Sequence, residues 1–209
     1  MINKPFAESC ERNQHPILEV IQKHLSRRHS CLEIGSGTGQ HAVFFAGELP
    51  HLTWFTSDRA ENHQAINLWL EDAKLENTRP PIELDVIASP WPSGPFEAIF
   101  SANTAHIMPW EAVKALFAGI DKVLEPGGVL MLYGPFNYAG KFTSDSNVRF
   151  ERWLKSQFEH QGIRDFEAVN KLAEQAGLKL LEDNEMPANN RLLVWTKKYE
   201  QKNKATNAR

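Results

Sequence analysis

The run Cys31-Leu32-Glu33-Ile34-Gly35-Ser36-Gly37-Thr38-Gly39 holds the residue types with the clearest chemical purpose in this chain. An apolar stretch ending in an acid enters a G-x-G-x-G turn, and a helix-like stretch follows. Glycines are needed where the backbone turns tightly and a ligand must approach without a Cβ in the way. A helix opening at about Gly39 aims free N–H groups and partial positive charge into the same crevice. Two further acids fall at later strand ends: Asp58, nineteen residues beyond Gly39, and Asp85. Asp58 is placed to accept hydrogen bonds from ribose hydroxyls, and Asp85 to receive an adenine amino group from the next strand over. A dinucleotide calls for G-x-G-x-x-G/A, and from Gly35 the sixth position is Gln40, a side chain expected to crowd the pyrophosphate. A nicotinamide-dependent oxidoreductase is therefore disfavoured, and the turn suits a ligand with an amino-acid moiety in place of two phosphates.

A second set of candidates lies between Ser101 and Phe136. His106 is a possible base near neutral pH, or else a histidine hydrogen-bonded within a packed loop. Asn103 either bonds the amino-acid end of the ligand or caps the turn. Tyr133 and Phe136 either wall an acceptor pocket or cap the sheet, and Phe136–Lys141 reads as a mobile lid hinged at Gly140. Arg12, Arg149, Arg164 and Arg191 lie in segments flanking the cleft. If two converge, an anionic substrate follows, because guanidinium forks pair with carboxylate or phosphate. Surface pairing with Asp145, Glu151 or Asp165 is the alternative.

The elements that must position these residues alternate. Residues 14–28 have apolar positions at helical spacing, 30–34 form a short apolar strand, and a helix follows that stops before Pro50. The pattern then predicts a strand over 52–57, a helix over 61–74, a strand over 82–86 and a Pro-rich loop through Pro95. A strand over 96–101 leads to a helix opening at Pro109, stopped by Glu125-Pro126-Gly127-Gly128, and to a strand over 129–133. Residues 145–160 and 166–176 read as helices, the second capped by Asp165 and ended by Gly177. Strands over 178–185 and 191–198 are joined so closely that they must be antiparallel neighbours. The fold class is therefore α/β, a doubly wound parallel sheet closed by an antiparallel strand.

The 209 residues fit one domain over 15–198, an N-terminal arm over 1–14 that could cover the site, and a polar tail over 199–209. A net charge of −3 gives no general drive toward nucleic acid or anionic membrane, so neither is an expected partner. No apolar run approaches the roughly 20 residues of a membrane span, and the first residues lack a signal-peptide core. Cys10 and Cys31 can form no disulfide framework, and no metal-ligand spacing surrounds either. The expected setting is the cytoplasm, as a monomer or homodimer.

The chain resembles the class I S-adenosylmethionine-dependent methyltransferases. The matching stretches are Glu33–Gly39, Asp58, Asp85-Val86 and Leu124-Glu125-Pro126-Gly127-Gly128 before the fifth strand. The resemblance implies a seven-stranded Rossmann-like sheet in the order 3-2-1-4-5-7-6 with strand 7 antiparallel. It implies S-adenosylmethionine as cofactor, with Glu33, Gly35, Ser36 and Gly37 beside its methionine part, Asp58 on the ribose, Asp85 and Val86 at the adenine, and Asn103 nearby. His106 is then the candidate catalytic base. Arg12, Asn13, Trp110, Tyr133, Phe136 and Arg149 are the candidate acceptor-binding residues, for a small polar or anionic molecule. The segment after the fourth strand lacks the Asn-Pro-Pro-aromatic pattern of many amide and base N-methylating enzymes. A narrower set resembles the domain of unknown function 938 family, whose members include methyltransferase-like protein 26. It comprises Arg12-Asn13, Gly39-Gln40-His41-Ala42, Asn103, His106–Trp110, Tyr133–Phe136, Thr143–Asn147, Gly162–Asp165 and Met186–Asn190. A non-catalytic S-adenosylmethionine-binding protein is the competing reading.

Overall fold

A computed structural model describes residues 4–199; the expected tail beyond Tyr199 lies outside the described residues. The chain runs α1 (Glu8–Leu25), β1 (Ser30–Ile34), α2 (Gln40–Glu48), β2 (Thr53–Asp58), α3 (His63–Ala73) and β3 (Thr78–Glu83). It continues through β4 (Phe96–Ala102), α4 (Trp110–Val123), β5 (Leu124–Gly134), β6 (Phe136–Asn137) and α5 (Asp145–Gln157). The last elements are β7 (Arg164–Asp165), α6 (Phe166–Gln175), β8 (Leu178–Met186) and β9 (Asn190–Lys197).

Seven strands form one sheet in the order β3-β2-β1-β4-β5-β9-β8, which is the expected 3-2-1-4-5-7-6 once the short β6 and β7 are set aside. Those two pair with each other in a separate parallel ribbon. β1 lies parallel between β2 and β4, and only β9 runs against its neighbours. On one face, Ile17 and Ile21 of α1 and Phe45 and Ala46 of α2 pack on Cys31, Trp54, Phe100 and Met131. On the other, Val113, Leu116 and Ile120 of α4 and Val169 and Ala173 of α6 pack on Leu32, Ile99, Leu130 and Trp195. Helices on both faces keep the parallel strands dry, as their near-continuous apolar runs require. Among the described residues no helix is long and apolar enough to cross a membrane.

Three expectations are corrected. α1 begins at Glu8, not 14, and carries Pro16 inside it. The missing N–H deprives one backbone carbonyl a turn earlier, near the exposed Arg12, where water can satisfy it. Of the expected arm over 1–14, residues 8–14 belong to α1, residues 4–7 precede it, and residues 1–3 lie outside the described residues. The third strand is Thr78–Glu83, not 82–86. It sits at the sheet edge, where Pro80 and Pro81 are tolerated because one side needs no ladder donors. The supposed lid is a tight turn, with backbone bonds in both directions between Tyr138 and Lys141. Tyr138 stacks on Phe166 with ring centroids 5.2 Å apart and donates its hydroxyl to Asp183 Oδ2 at 2.7 Å.

On the α1–α2 face an aromatic knot joins α2 to β2 and β4. Phe45 lies 5.4 Å from both Trp54 and Phe100, and all three are fully buried. Phe45→Ala leaves a cavity bounded by β1, β2 and β4, and the expected loss is about 3–5 kcal/mol. Urea unfolding checks this; a loss under about 1 kcal/mol would mean the knot is not what fixes these strands.

Candidate functional site

The carboxyl ends of β1, β2 and β4, with the loop after β3, surround a cleft of about 650 Å³. Gly35, Gly37, Asp58, Asp85, Val86 and Asn103 all line it, from four separate segments. Brought together by strand order alone, they occupy the crevice where open α/β sheets take their ligands.

The glycine turn is built around space. A Cβ on Gly35 would stand 2.4 Å from Thr104 Cγ2, and one on Gly39 would stand 3.0 Å from the Ile66 Cα. Gly37 differs: its φ is +59° and, among the described residues beyond its two chain neighbours, no atom lies within 4 Å of its Cβ position. Its bare face is open to the cleft. The Gly37 N–H donates to Asp58 Oδ2 at 2.7 Å, while Arg59 N and Asn62 Nδ2 donate to Oδ1 at 2.7 and 2.8 Å. Asp58 thus spends three of about four acceptor positions on protein and keeps one toward the cleft. Asp85 lies beyond the end of β3, and its Oδ1 accepts from Ile87 N at 2.9 Å and Ala88 N at 3.2 Å. Asn103 adopts φ +59° and bonds through its N–H to the Tyr133 carbonyl.

The remaining candidates do not line the cleft. Glu33 points into the α1–α2 face, 1% exposed, and accepts from Trp54 Nε1 at 3.1 Å. Burial pushes its carboxyl up to about 7, against the pull of bonds from Trp54 and Ser36. Ser36 is buried and its Oγ accepts from Ser57 N, stitching the turn to β2. Gln40 does not crowd the crevice: its amide turns away to hold the N–H and carbonyl of Ala7. The crowding argument against a dinucleotide therefore does not hold. Phe136 is core at 1% exposure, and Trp110 packs against the core with the Arg164 guanidinium 5.9 Å from its ring centroid. Tyr133 and Asn13 are buried on the α1 face, where Asn13 Oδ1 meets His41 Nε2 at 2.7 Å.

The arginines do not converge. Arg12 pairs with Glu8 on the surface, Arg149 is exposed, Arg191 faces Asp183 and Glu185, and Arg164 binds backbone carbonyls. The expectation of an anionic acceptor loses its basis. His106 is buried beside Phe150, and its Nδ1 lies 3.6 Å from where a Cβ on Gly134 would stand. Burial, then the nearby Arg164 charge, lowers it to about 4, so the ring is neutral at pH 7. Among the described residues no cluster of His, Cys, Asp or Glu could hold a metal ion.

Two loops supply the rest of the wall, the first from the segment after the fourth strand already expected to face the acceptor. Ile107, Met108 and Pro109 come from the β4–α4 loop, and Phe158, His160 and Gln161 from the loop after α5. The sequence pattern predicts a helix over 145–160 that includes Phe158, whereas α5 ends at Gln157 and leaves Phe158 free to face the cleft. Large apolar exposure at Ile87, Ile107 and Phe158 gathers at this one mouth.

The family model described as "Protein of unknown function (DUF938)" matches residues 4–197. The chain belongs to the DUF938 family. Among solved structures, it is similar to an O-methyltransferase family protein from Burkholderia thailandensis, with TM-score 0.81 and 14% identity over 93% of this chain and 59% of that one. It is also similar to the S-adenosylmethionine-dependent methyltransferase SibL, with TM-score 0.78 and 19% identity over 91% of this chain and 56% of that one. The YcgJ protein from Bacillus subtilis matches with TM-score 0.70 and 15% identity, over 88% of this chain and 99% of that one. This chain thus spans just over half the length of the first two. At these identities the likeness establishes a class I methyltransferase fold.

Buried titratable groups on both faces give stability a distinctive pH dependence. The unfolded chain releases the Glu33 proton from about pH 4.5 and the folded one at about 7, so this contribution is lost as pH rises through that window. His41 and His106 act oppositely: both are held near 4 by burial, so their contribution is present above about 6.5 and lost as pH falls. Glu33→Gln keeps an acceptor for Trp54 but has no proton to lose. Its melting temperature should exceed the wild type's by more at pH 8 than at pH 4.5. Equal differences at the two pH values would contradict the burial of an ionising group.

Proposed function

We propose that this chain is an S-adenosylmethionine-dependent methyltransferase acting on a small polar acceptor. The observation that carries this is the cleft itself: the open face of Gly37, the remaining acceptor position of Asp58, and Asp85 with Val86, arranged in that order across adjacent segments. Its volume falls within the range of about 300–1,000 Å³ usual for small-ligand sites. The residues present fit the cofactor: a Cβ-free cradle for the methionine end, a carboxylate for ribose hydroxyls, and a second carboxylate beside apolar Val86 for the adenine.

When bound, S-adenosylmethionine supplies a methyl group on a sulfonium centre, already activated for in-line displacement. The chain's own task is then positioning, and a base is required only where the acceptor sheds a proton. His106 suits that role because burial keeps its imidazole unprotonated through the neutral range. A base held near 4 is weak, so His106 would take the acceptor's proton only in concert with the transfer that releases the sulfonium sulfur, not before it.

One observation favours a non-catalytic binding protein: His106 stands behind the cleft wall and does not line it. Labelled cofactor incubated with a metabolite pool separates the two. Labelled product is expected from the wild type, with a 10²-fold or greater loss in His106→Ala and S-adenosylhomocysteine affinity within twofold of wild type. An unchanged rate in the variant would remove His106 as base. Binding without product from any pool would leave the non-catalytic reading.

The cradle has its own test. Gly37→Val places a β-branched side chain in the cofactor's space at a left-handed backbone position, for a stability loss of about 1–2 kcal/mol. Calorimetry should find S-adenosylhomocysteine binding abolished in a folded protein. Retained affinity would overturn the assignment of the turn.

A further inference from the structure

We propose that Arg164 is a positioning residue: its guanidinium latches the loop after α5 across the cofactor cleft and holds the segment carrying His106. This deepens the methyltransferase reading and rests on it.

Arg164 Nε donates to the Ala105 carbonyl at 2.9 Å, and Nη2 donates to the carbonyls of Met108 and, at 3.0 Å, His160. Ala105 and Met108 bracket His106 in the β4–α4 loop, while His160 belongs to the loop after α5. One planar fork therefore ties two loops distant in sequence. Lysine could not replace it, since an ammonium has no rigid spread of donors with which to span three carbonyls. The Gly162 N–H adds a bond to the His106 carbonyl at 2.9 Å. The far side of the loop is moored to α5, where Ile163 N donates to Glu151 Oε2 at 2.6 Å and Lys155 Nζ to the Gln161 carbonyl at 3.0 Å. Arg164 is itself fixed to the sheet's top edge, because β7 pairs with β6 immediately after β5.

The loops so joined form the outer wall of the cleft. Met108 and Ile107 stand on one side, and Phe158, His160 and Gln161 on the other. Phe158 stacks on His160 with ring centroids 5.6 Å apart, yet remains 60% exposed, a flat apolar surface at the mouth. Around His106 the other neighbours are apolar or uncharged, Phe150 from α5 and Gly134 from β5. The charged groups nearby are Arg164 and, one step farther, Glu151, whose charge acts on Arg164.

Three variants separate shape from charge, with S-adenosylhomocysteine calorimetry and the NMR titration of His106 as readouts. Arg164→Lys keeps the charge but not the fork: affinity should fall about tenfold with the His106 titration unmoved. Arg164→Gln loses both, so affinity should fall similarly and His106 should titrate at higher pH. Phe158→Ala, at an exposed position, tests the wall even if the arginine variants do not fold, and affinity should fall at least threefold at unchanged melting temperature. Wild-type failure to bind S-adenosylhomocysteine would sink the methyltransferase reading itself. If the wild type binds and folded arginine variants bind within twofold of it, the latch is wrong. If those variants do not fold, an unaltered Phe158→Ala affinity overturns it.

Discussion

The bond from the Gly37 N–H to the Asp58 carboxylate joins the two features on which the site depends. It closes the glycine turn of β1 onto the end of β2 and, with the two donors to Oδ1, fixes the Asp58 carboxylate beside the cleft. Hydrogen bonds to charged acceptors contribute about 1.5–3 kcal/mol, and this one spans a junction that backbone pairing only partly secures. Asn62, from the short helical turn before α3, and the Arg59 N–H complete the shell. A carboxylate held on three sides is a preorganised acceptor for a hydroxyl arriving from the fourth.

The cleft at the strand ends and the α1 face of the sheet divide the polar work. The cleft side takes the open groups, Asp58, Asp85 and Asn103. The α1 face buries a satisfied network in which Cys10 Sγ lies 3.9 Å from His41 Nδ1 and His41 Nε2 meets Asn13. A thiol, an imidazole and an amide in that sequence suggest a nucleophile. Here, however, burial and the charge of Glu33 hold the Cys10 thiol up to about 11, and burial holds His41 near 4. Neither group is ready to react. The network instead docks α1 to α2 beside the turn, which explains why Asn13 is buried and not free to bind an acceptor.

Most of the sheet was legible in the sequence because buried parallel strands are written as short apolar runs, as at Cys31–Ile34, Phe96–Phe100 and Val129–Leu132. β3 was displaced because its first half, Thr-Arg-Pro-Pro, reads as loop, and only its edge position makes it a strand. α1 was begun too late because Pro16 looks like a first-turn residue. The glycine turn, Asp58, Asp85 and Asn103 come together around one cleft because they lie at strand ends, where topology dictates proximity. Glu33 and Ser36 were misassigned to the cleft: adjacent residues of a strand and turn face opposite ways, and spacing alone does not say which way is the ligand's. The wall after α5 was invisible because nothing local to Phe158–Gln161 says that Arg164 will carry it back over the sheet.

The central claim is that this cleft takes a nucleoside through Asp58 and Asp85. A crystal structure of the protein with S-adenosylhomocysteine tests it most directly. The ribose hydroxyls should lie on the remaining acceptor position of Asp58, the adenine against Val86 with its amino group at Asp85, and the homocysteine end over Gly37. Density for the ligand elsewhere, or a ribose that leaves Asp58 bonded only to Gly37, Arg59 and Asn62, would contradict it.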